Sequence, residues 1–193
     1  MHPDRRKWNA KHLKKSSPGV PAAMVRRFLH LAPAGRALDI ASGSGRHALF
    51  LAHQGYRVDA LDISDAGLRS FAHLHPNIRA ACVDLDDFRI PPGCYQLIVN
   101  FRFLSRPLIP GMIHGLAPGG LLIFETFVRP RRLPPAERRR EAYLLRENEL
   151  LRLFAPLRIL YYRESLAARP EYPFASAALV AVNDSDLIQR IGS

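Results

Sequence analysis

The stretch ALDIASGSGRHALFLAHQGYRVDALDIS, residues 37–64, decides the fold. With Arg36 in front of it, RALDIA is a short apolar strand, HALFLAHQG reads as a helix closed by Gly55, and YRVDALDIS is a second strand. The three pieces make one βαβ unit. The loop between the first strand and the helix carries Gly43 and Gly45, and an aspartate stands on either side of it, Asp39 within the first strand and Asp62 near the end of the second. A strand, a glycine turn and a helix N-terminus together let backbone approach a ligand closely and welcome anionic or polar groups.

The same alternation continues outward. DAGLRSFAHLH has helical spacing, IRAACVDLD is a third strand and YQLIVNF a fourth; LIPGMIHGLAPGG supplies a short helix ended by Pro-Gly-Gly, and LLIFETF is apolar enough for a doubly covered fifth strand. This rhythm predicts an α/β fold with a doubly wound, mostly parallel sheet. LRILYYRES and FASAALVAVN are two β-rich runs whose connection, LAARPEYP, is too short for a crossover helix, so they are expected to pair antiparallel. Between them and the fifth strand, residues 129–155 are expected to form a Pro/Arg-rich loop and a covering helix with Tyr143, Leu144, Leu150, Leu151 and Phe154 facing inward. The first twenty residues, which include KKSSPG, are expected to be poorly ordered unless a ligand recruits them.

At 193 residues and 48% hydrophobic, the chain suits a single buried core. It has no apolar run long enough for a membrane span, and MHPDRRKWNAKHLKK lacks the apolar centre of a signal peptide, so a soluble, cytoplasmic protein is expected. Cys82 and Cys94 are too far apart for a CxxC site, and HLHPNIRAAC has no metal-ligand spacing; neither a disulfide nor a metal is expected. The net charge of +11 is concentrated in two flanks. Residues 1–36 carry nine Lys or Arg against one Asp, and residues 129–152 carry eight Arg against four Glu. Such flanks can attract an anionic partner, nucleic acid included.

Gly43, Gly45 and Ala48 satisfy the dinucleotide fingerprint, and Asp62 follows Gly43 at the distance of a ribose-binding acid, which admits a nicotinamide oxidoreductase. Asp39 argues against it. A pyrophosphate gains nothing from a nearby carboxylate, whereas S-adenosylmethionine carries a sulfonium and an ammonium, no phosphate, and a ribose diol for Asp62. In ACVDLDDF, Asp84 could accept from the adenine amine and Leu85 could pack on its ring.

On these residues the sequence resembles the class I S-adenosylmethionine-dependent methyltransferases over residues 30–182. DIASGSG is similar to their motif I, LDIS to the ribose-binding strand end, VDL to the adenine motif and LAPGGLLIFETF to the strand-five signature. SGRHALFLAHQGYRVDALDIS looks like the tellurite-resistance-type members. The resemblance implies a seven-stranded Rossmann-like domain over residues 30–193, preceded by a basic arm and first helix at 1–29. It implies cofactor contacts from Asp39, Ala41, Ser42, Gly43, Gly45 and Arg46 in motif I, from Asp62 and Ile63, from Asp84 and Leu85, and from Asn100 and Phe101 after strand four. Ala41 stands where a glycine is usual and His47 where asparagine is common; alanine suits the turn provided its φ is negative.

Methyl transfer from a sulfonium needs alignment in a dry pocket more than strong catalytic groups. The position after strand four reads NFRF, with no Asp/Asn-Pro-Pro-Tyr motif. Asn100, Arg102, Phe103, Arg106 and Glu125 are the candidates for the acceptor side, and the arginines suit an anionic or oxyanionic acceptor. A small-molecule methyltransferase is therefore expected. An RNA or protein methyltransferase using the basic flanks, and a non-catalytic cofactor-binding protein, are the alternatives. Trp8 and the basic arm could close over the cofactor as a lid or only dock on the surface.

Overall fold

The computed structural model describes residues 3–14, 17–133, 135–165 and 174–184. Its centre is a seven-stranded sheet in the order β3-β2-β1-β4-β5-β7-β6. The parallel strands are β1 (Arg36–Ile40), β2 (Arg57–Asp62), β3 (Ile78–Cys82), β4 (Tyr95–Phe101) and β5 (Leu116–Phe127). β7 (Ser176–Val182) runs antiparallel to both β5 and β6 (Arg158–Glu164). The expected doubly wound sheet with its antiparallel final pair is present, and β7 is inserted between β5 and β6. The segment 166–173 that joins the pair lies outside the described residues.

Each face of the sheet has its own apolar layer. On one, Leu51, Leu68, Phe71, Leu97 and Val180 pack beneath α2 (Ala23–Phe28), α3 (Arg46–His53) and α4 (Asp65–Arg69). On the other, Ile98, Met112, Leu122, Phe124 and Phe154 pack beneath α5 (Ile109–Gly115) and α6 (Glu149–Leu153). Central strands are buried on both sides, which is why they read as continuous apolar runs. β1 leads by α3 to β2 on one side, and β4 lies on the other, so the connections reverse between β1 and β4. The carboxyl ends of the strands at such a switch point are where α/β folds place ligands.

Two expectations are corrected. The covering segment is not one helix: residues Pro135–Tyr143 form 3-10 turns and α6 begins only at Glu149, after Asn148 adopts φ 57°. Leu144, Leu150 and Phe154 are buried, Leu151 is partly so, and Tyr143 is turned outward at 57% exposure. Nor is the arm without structure. Residues Pro3–His12 form α1, which packs on α4. Among the described residues no helix is long and apolar enough to cross a membrane.

Candidate functional site

The glycine turn is shaped by backbone that side-chain-bearing residues seldom adopt. Gly43 and Gly45 have φ of 59° and 79°. At Gly45 a Cβ would stand 2.2 Å from the buried Phe71 ring, so glycine is needed for space as well as conformation. Ala41 departs from expectation. Its φ is +53°, so it takes up the left-handed geometry of the glycine it replaces, and the turn survives with an alanine held in strained backbone.

Two buried carboxylates organise this turn. Asp39 is 1% exposed and accepts from the Ala48 amide at 3.0 Å, capping the third residue of α3 in place of a side chain that Gly45 lacks. Burial pushes its pKa up to about 7, against the Ala48 hydrogen bond and the charge of Arg46, which hold it down. His47 lies 3.9 Å from it. Burial, with Arg46 and Arg102 adding to it, holds that imidazole well below its ordinary pKa, so the pair is not an ion pair. Nε2 of His47 accepts from the Ala22 amide at 3.3 Å, which puts the proton on Nδ1, facing Asp39. Asp62 accepts from the Gly43 amide and the Ser64 amide, each at 2.7 Å. The carboxylate at the end of β2 thereby fixes both the glycine turn and the start of α4.

The rest of the crevice is built from the ends of β3, β4 and β5. Leu85 is buried, Asp84 is partly buried and accepts from the Asp86 amide at 3.1 Å, and Ile63 is partly buried beside Cys82. Asn100 is fully buried; its Nδ2 donates to the Phe103 carbonyl at 2.9 Å. Its Oδ1 and the Ser42 Oγ, both buried, find no hydrogen-bond partner among the described residues. The two residues stand at the carboxyl ends of the adjacent strands β1 and β4. Buried polar atoms are nearly always satisfied, so this pair marks a place for a polar ligand. Phe101 packs against His47 with ring centres 4.3 Å apart, beneath the Arg46 guanidinium at 5.8 Å.

Arg106 has a different place from the other acceptor-side candidates. It donates to Glu149 through Nε and Nη2 at 2.7 and 2.9 Å, and to the Ala142 and Leu144 carbonyls at 2.7 and 2.9 Å. These bonds tie the covering segment to the end of β4. Arg102, Phe103 and Glu125 are at the crevice mouth, where the Arg102 amide donates to the Glu125 carbonyl at 2.8 Å.

Three residues not expected from the sequence also belong here. From α1, Asn9 bonds to Asp65 at 2.8 Å, to Ser64 at 2.7 Å and to the Ala66 amide at 3.3 Å, and Arg5 pairs with Asp65 at 3.0 Å. The His12 ring lies against Gly43 and Gly67, 3.0 Å from where a Cβ on Gly43 would be. The helix N-cap at Ser64 was the one available signal, in the run SDAGL; nothing in α1 announces its partner.

Residues 37–120 match a family model described as a methyltransferase domain. No curated protein matches the sequence. Among solved structures, an S-adenosylmethionine-dependent methyltransferase from Methanosarcina mazei superposes with a TM-score of 0.66 at 18% identity, covering 85% of this chain and 98% of that one. TehB from Haemophilus influenzae gives 0.70 at 20% identity over 91% of this chain and 66% of that one. A geranyl diphosphate C-methyltransferase from Streptomyces coelicolor, in complex with Mg2+, geranyl diphosphate and S-adenosyl-L-homocysteine, gives 0.69 at 16% identity over 93% and 96%. At these identities the likeness is one of fold.

Proposed function

We propose that this chain, a member of the class I S-adenosylmethionine-dependent methyltransferase superfamily, binds its cofactor across the ends of β1, β2 and β4 and methylates a small, anionic acceptor. One observation carries the choice of ligand. The Gly43 amide, which a dinucleotide fold would offer to a pyrophosphate, is already donated to Asp62 at 2.7 Å, and Asp39 lies buried below the same turn. The turn therefore presents carboxylates, which suit a cationic ligand with a ribose diol and repel a phosphate.

The residues fit that cofactor. Asp62 retains lone pairs for ribose hydroxyls, since a carboxylate accepts about four hydrogen bonds and two are used. Ser42 Oγ and Asn100 Oδ1 offer unmatched polar atoms between β1 and β4. Asp84 and Leu85 stand at the end of β3 for the base. When bound, the cofactor supplies a methyl group activated by its sulfonium. This chain's own part is to orient the reactants and keep water out, with Phe101, Phe103 and the covering segment held by Arg106 as apolar and structural walls. α1 is the remaining wall. Its contacts to Ser64, Asp65 and Gly43 surround the backbone that carries Asp62, which supports the arm as a cover over the nucleoside end.

A small acceptor suits a crevice closed on one side by α1 and on the other by residues 135–153. The structure of a fold neighbour in complex with geranyl diphosphate is consistent with an anionic small molecule as the acceptor. Incubation of the full chain with methyl-labelled S-adenosylmethionine and a mixed panel of small carboxylates, phosphate esters, RNA and protein tests the reading. Label in a small anion with S-adenosyl-L-homocysteine released is the expected result. Label only in RNA or protein, or none with any acceptor, would overturn it.

A further inference from the structure

The start of α4 is completed by a residue from another helix. Ser64, fully buried, caps α4: its Oγ accepts from the Gly67 amide at 3.1 Å and donates its own proton to Oδ1 of Asn9 at 2.7 Å. The same Oδ1 accepts from the Ala66 amide at 3.3 Å, one of the N–H groups that a helix N-terminus leaves open. Nδ2 of Asn9 donates to Asp65 at 2.8 Å. One side chain of α1 thereby engages Ser64, Asp65 and Ala66 in turn. Asp65 also takes Arg5 at 3.0 Å, and the Asn9 and Arg5 hydrogen bonds hold its carboxyl well below the usual carboxylate range. α1 has no apolar stripe, so matched polar contacts set where it sits.

The consequence falls on Asp62. Its Oδ1 accepts from the Ser64 amide and its Oδ2 from the Gly43 amide, each at 2.7 Å. One bond on each oxygen leaves each a lone pair for a ribose hydroxyl and fixes the plane in which a diol must meet the carboxylate. The Oδ1 side of that frame is only as firm as Ser64, and the buried Ser64 hydroxyl has its acceptor on α1. Without Asn9 that hydroxyl loses its partner in a place closed to water, which favours rearrangement of the turn that carries the Ser64 amide. Asn9 and Ser64 are 55 residues apart in sequence, so the arm and the end of β2 are joined only through this contact chain.

We propose that Asn9 is a positioning residue for cofactor binding: by completing the cap of α4 from α1, it holds Ser64, and through the Ser64 amide the Asp62 carboxylate, in the orientation that receives the ribose diol. The proposal rests on the functional reading above and gives the arm a part in it beside covering the nucleoside end. Asn9 acts through Ser64 and Asp62 and is not itself a cofactor contact.

The test is a double-mutant cycle, read by calorimetric titration of the full chain with S-adenosyl-L-homocysteine. Asn9→Ala should weaken binding about tenfold in the parent, and less than about twofold in Asp62→Ala, where no carboxylate is left to position. The same cycle is run without a second substitution by titrating the 2′,3′-dideoxyribose analogue, which offers Asp62 no hydroxyl; Asn9→Ala should again cost less than about twofold. Arg5→Met loosens α1 on α4 but leaves the Asn9 bonds, and should cost less than about threefold, as a half-exposed ion pair does. Arg6→Gln, exposed on the same helix, should change nothing. Equal losses in both backgrounds and toward both ligands would overturn the proposal, because α1 would then be a wall and no more. An Asn9→Ala protein that binds as tightly as the parent, one that fails to fold, or an Arg5→Met loss as large as that of Asn9→Ala would overturn it too. All of these outcomes leave the functional reading standing, whereas a parent chain that does not bind the homocysteine product removes that reading and the proposal with it.

Discussion

The two ends of the sheet handle charge in opposite ways. At the amino ends, Arg36 pairs with Asp59 at 2.6 Å, the buried Tyr95 donates its hydroxyl to the same carboxylate at 3.0 Å, and Arg79 stands 4.0 Å away, with both arginines open to solvent. Opposite charges meet, and ordinary backbone carries them. At the carboxyl ends, Asp39 is buried with a neutral imidazole for its nearest ring, and Ala41 and Arg102 sit in left-handed backbone. Ser42 Oγ and Asn100 Oδ1 add buried polar demand that the described chain leaves unmet. The amino end is arranged for stability. The carboxyl end carries strained backbone, a buried carboxylate and unmet polar demand, which are the features expected where a ligand is received.

That contrast can be broken most forcefully at Gly45. Gly45→Ala combines a left-handed φ of 79° with a Cβ inside the Phe71 ring, so a loss of about 2–5 kcal/mol is expected, read as a large drop in melting temperature. A variant as stable as the parent would mean that the turn is not built as described.

Asp39→Asn sharpens the contrast through pH. The unfolded carboxyl ionises near 3.8 and the folded one at about 7, so between these pH values the folded state holds a proton that the unfolded state has lost. Stability contributed by the neutral form is complete below the lower value and lost as pH rises through the upper one. The asparagine variant keeps an acceptor for Ala48 but cannot ionise. Its melting temperature should match the parent's near pH 4 and exceed it by several degrees at pH 8, while its cofactor affinity falls. Asp59→Asn at the opposite end should leave cofactor affinity unchanged. A melting difference for Asp39→Asn that does not vary with pH would remove the argument.

A smaller effect is expected at Ala41. Replacing alanine by glycine usually costs stability, but here it relieves a φ of 53°, so Ala41→Gly should raise stability by about 1 kcal/mol, measured as a shift in the urea midpoint. A shift in the opposite direction would show that the strain lies elsewhere.

What could be read from sequence was whatever local pattern dictates. Apolar runs gave the central strands, because burial on both faces leaves an unbroken signature; the largely exposed edge strand β3 was placed by the alternation of strand and helix, and the turn with Asp39 and Asp62 stood out because strand, glycine and helix are contiguous. The hidden features are long-range and polar. Arg106 finds Glu149 43 residues away, and Asn9 finds Asp65 at a separation of 56, and neither contact imposes a period on the chain. α1 is a polar helix without an apolar stripe, so docking of the arm could be considered but its partner residues on α4 could not be read, and Asn148 in left-handed backbone cut short a helix that the leucine spacing favoured. The sign of φ at Ala41 was misjudged for a related reason: the turn dictates the conformation there, and the residue only bears its cost.

The central claim, that the carboxyl end is a receptor for a cationic nucleoside rather than a dinucleotide, is tested most directly by calorimetry of the full chain with S-adenosylmethionine and with NAD, repeated for Asp62→Ala. The account expects the wild type to bind S-adenosylmethionine with an affinity that rises from pH 6 to pH 8 as Asp39 ionises, to lose at least about tenfold in affinity with Asp62→Ala, and to show no heat with NAD. Tight NAD binding, or S-adenosylmethionine binding indifferent to Asp62, would contradict it.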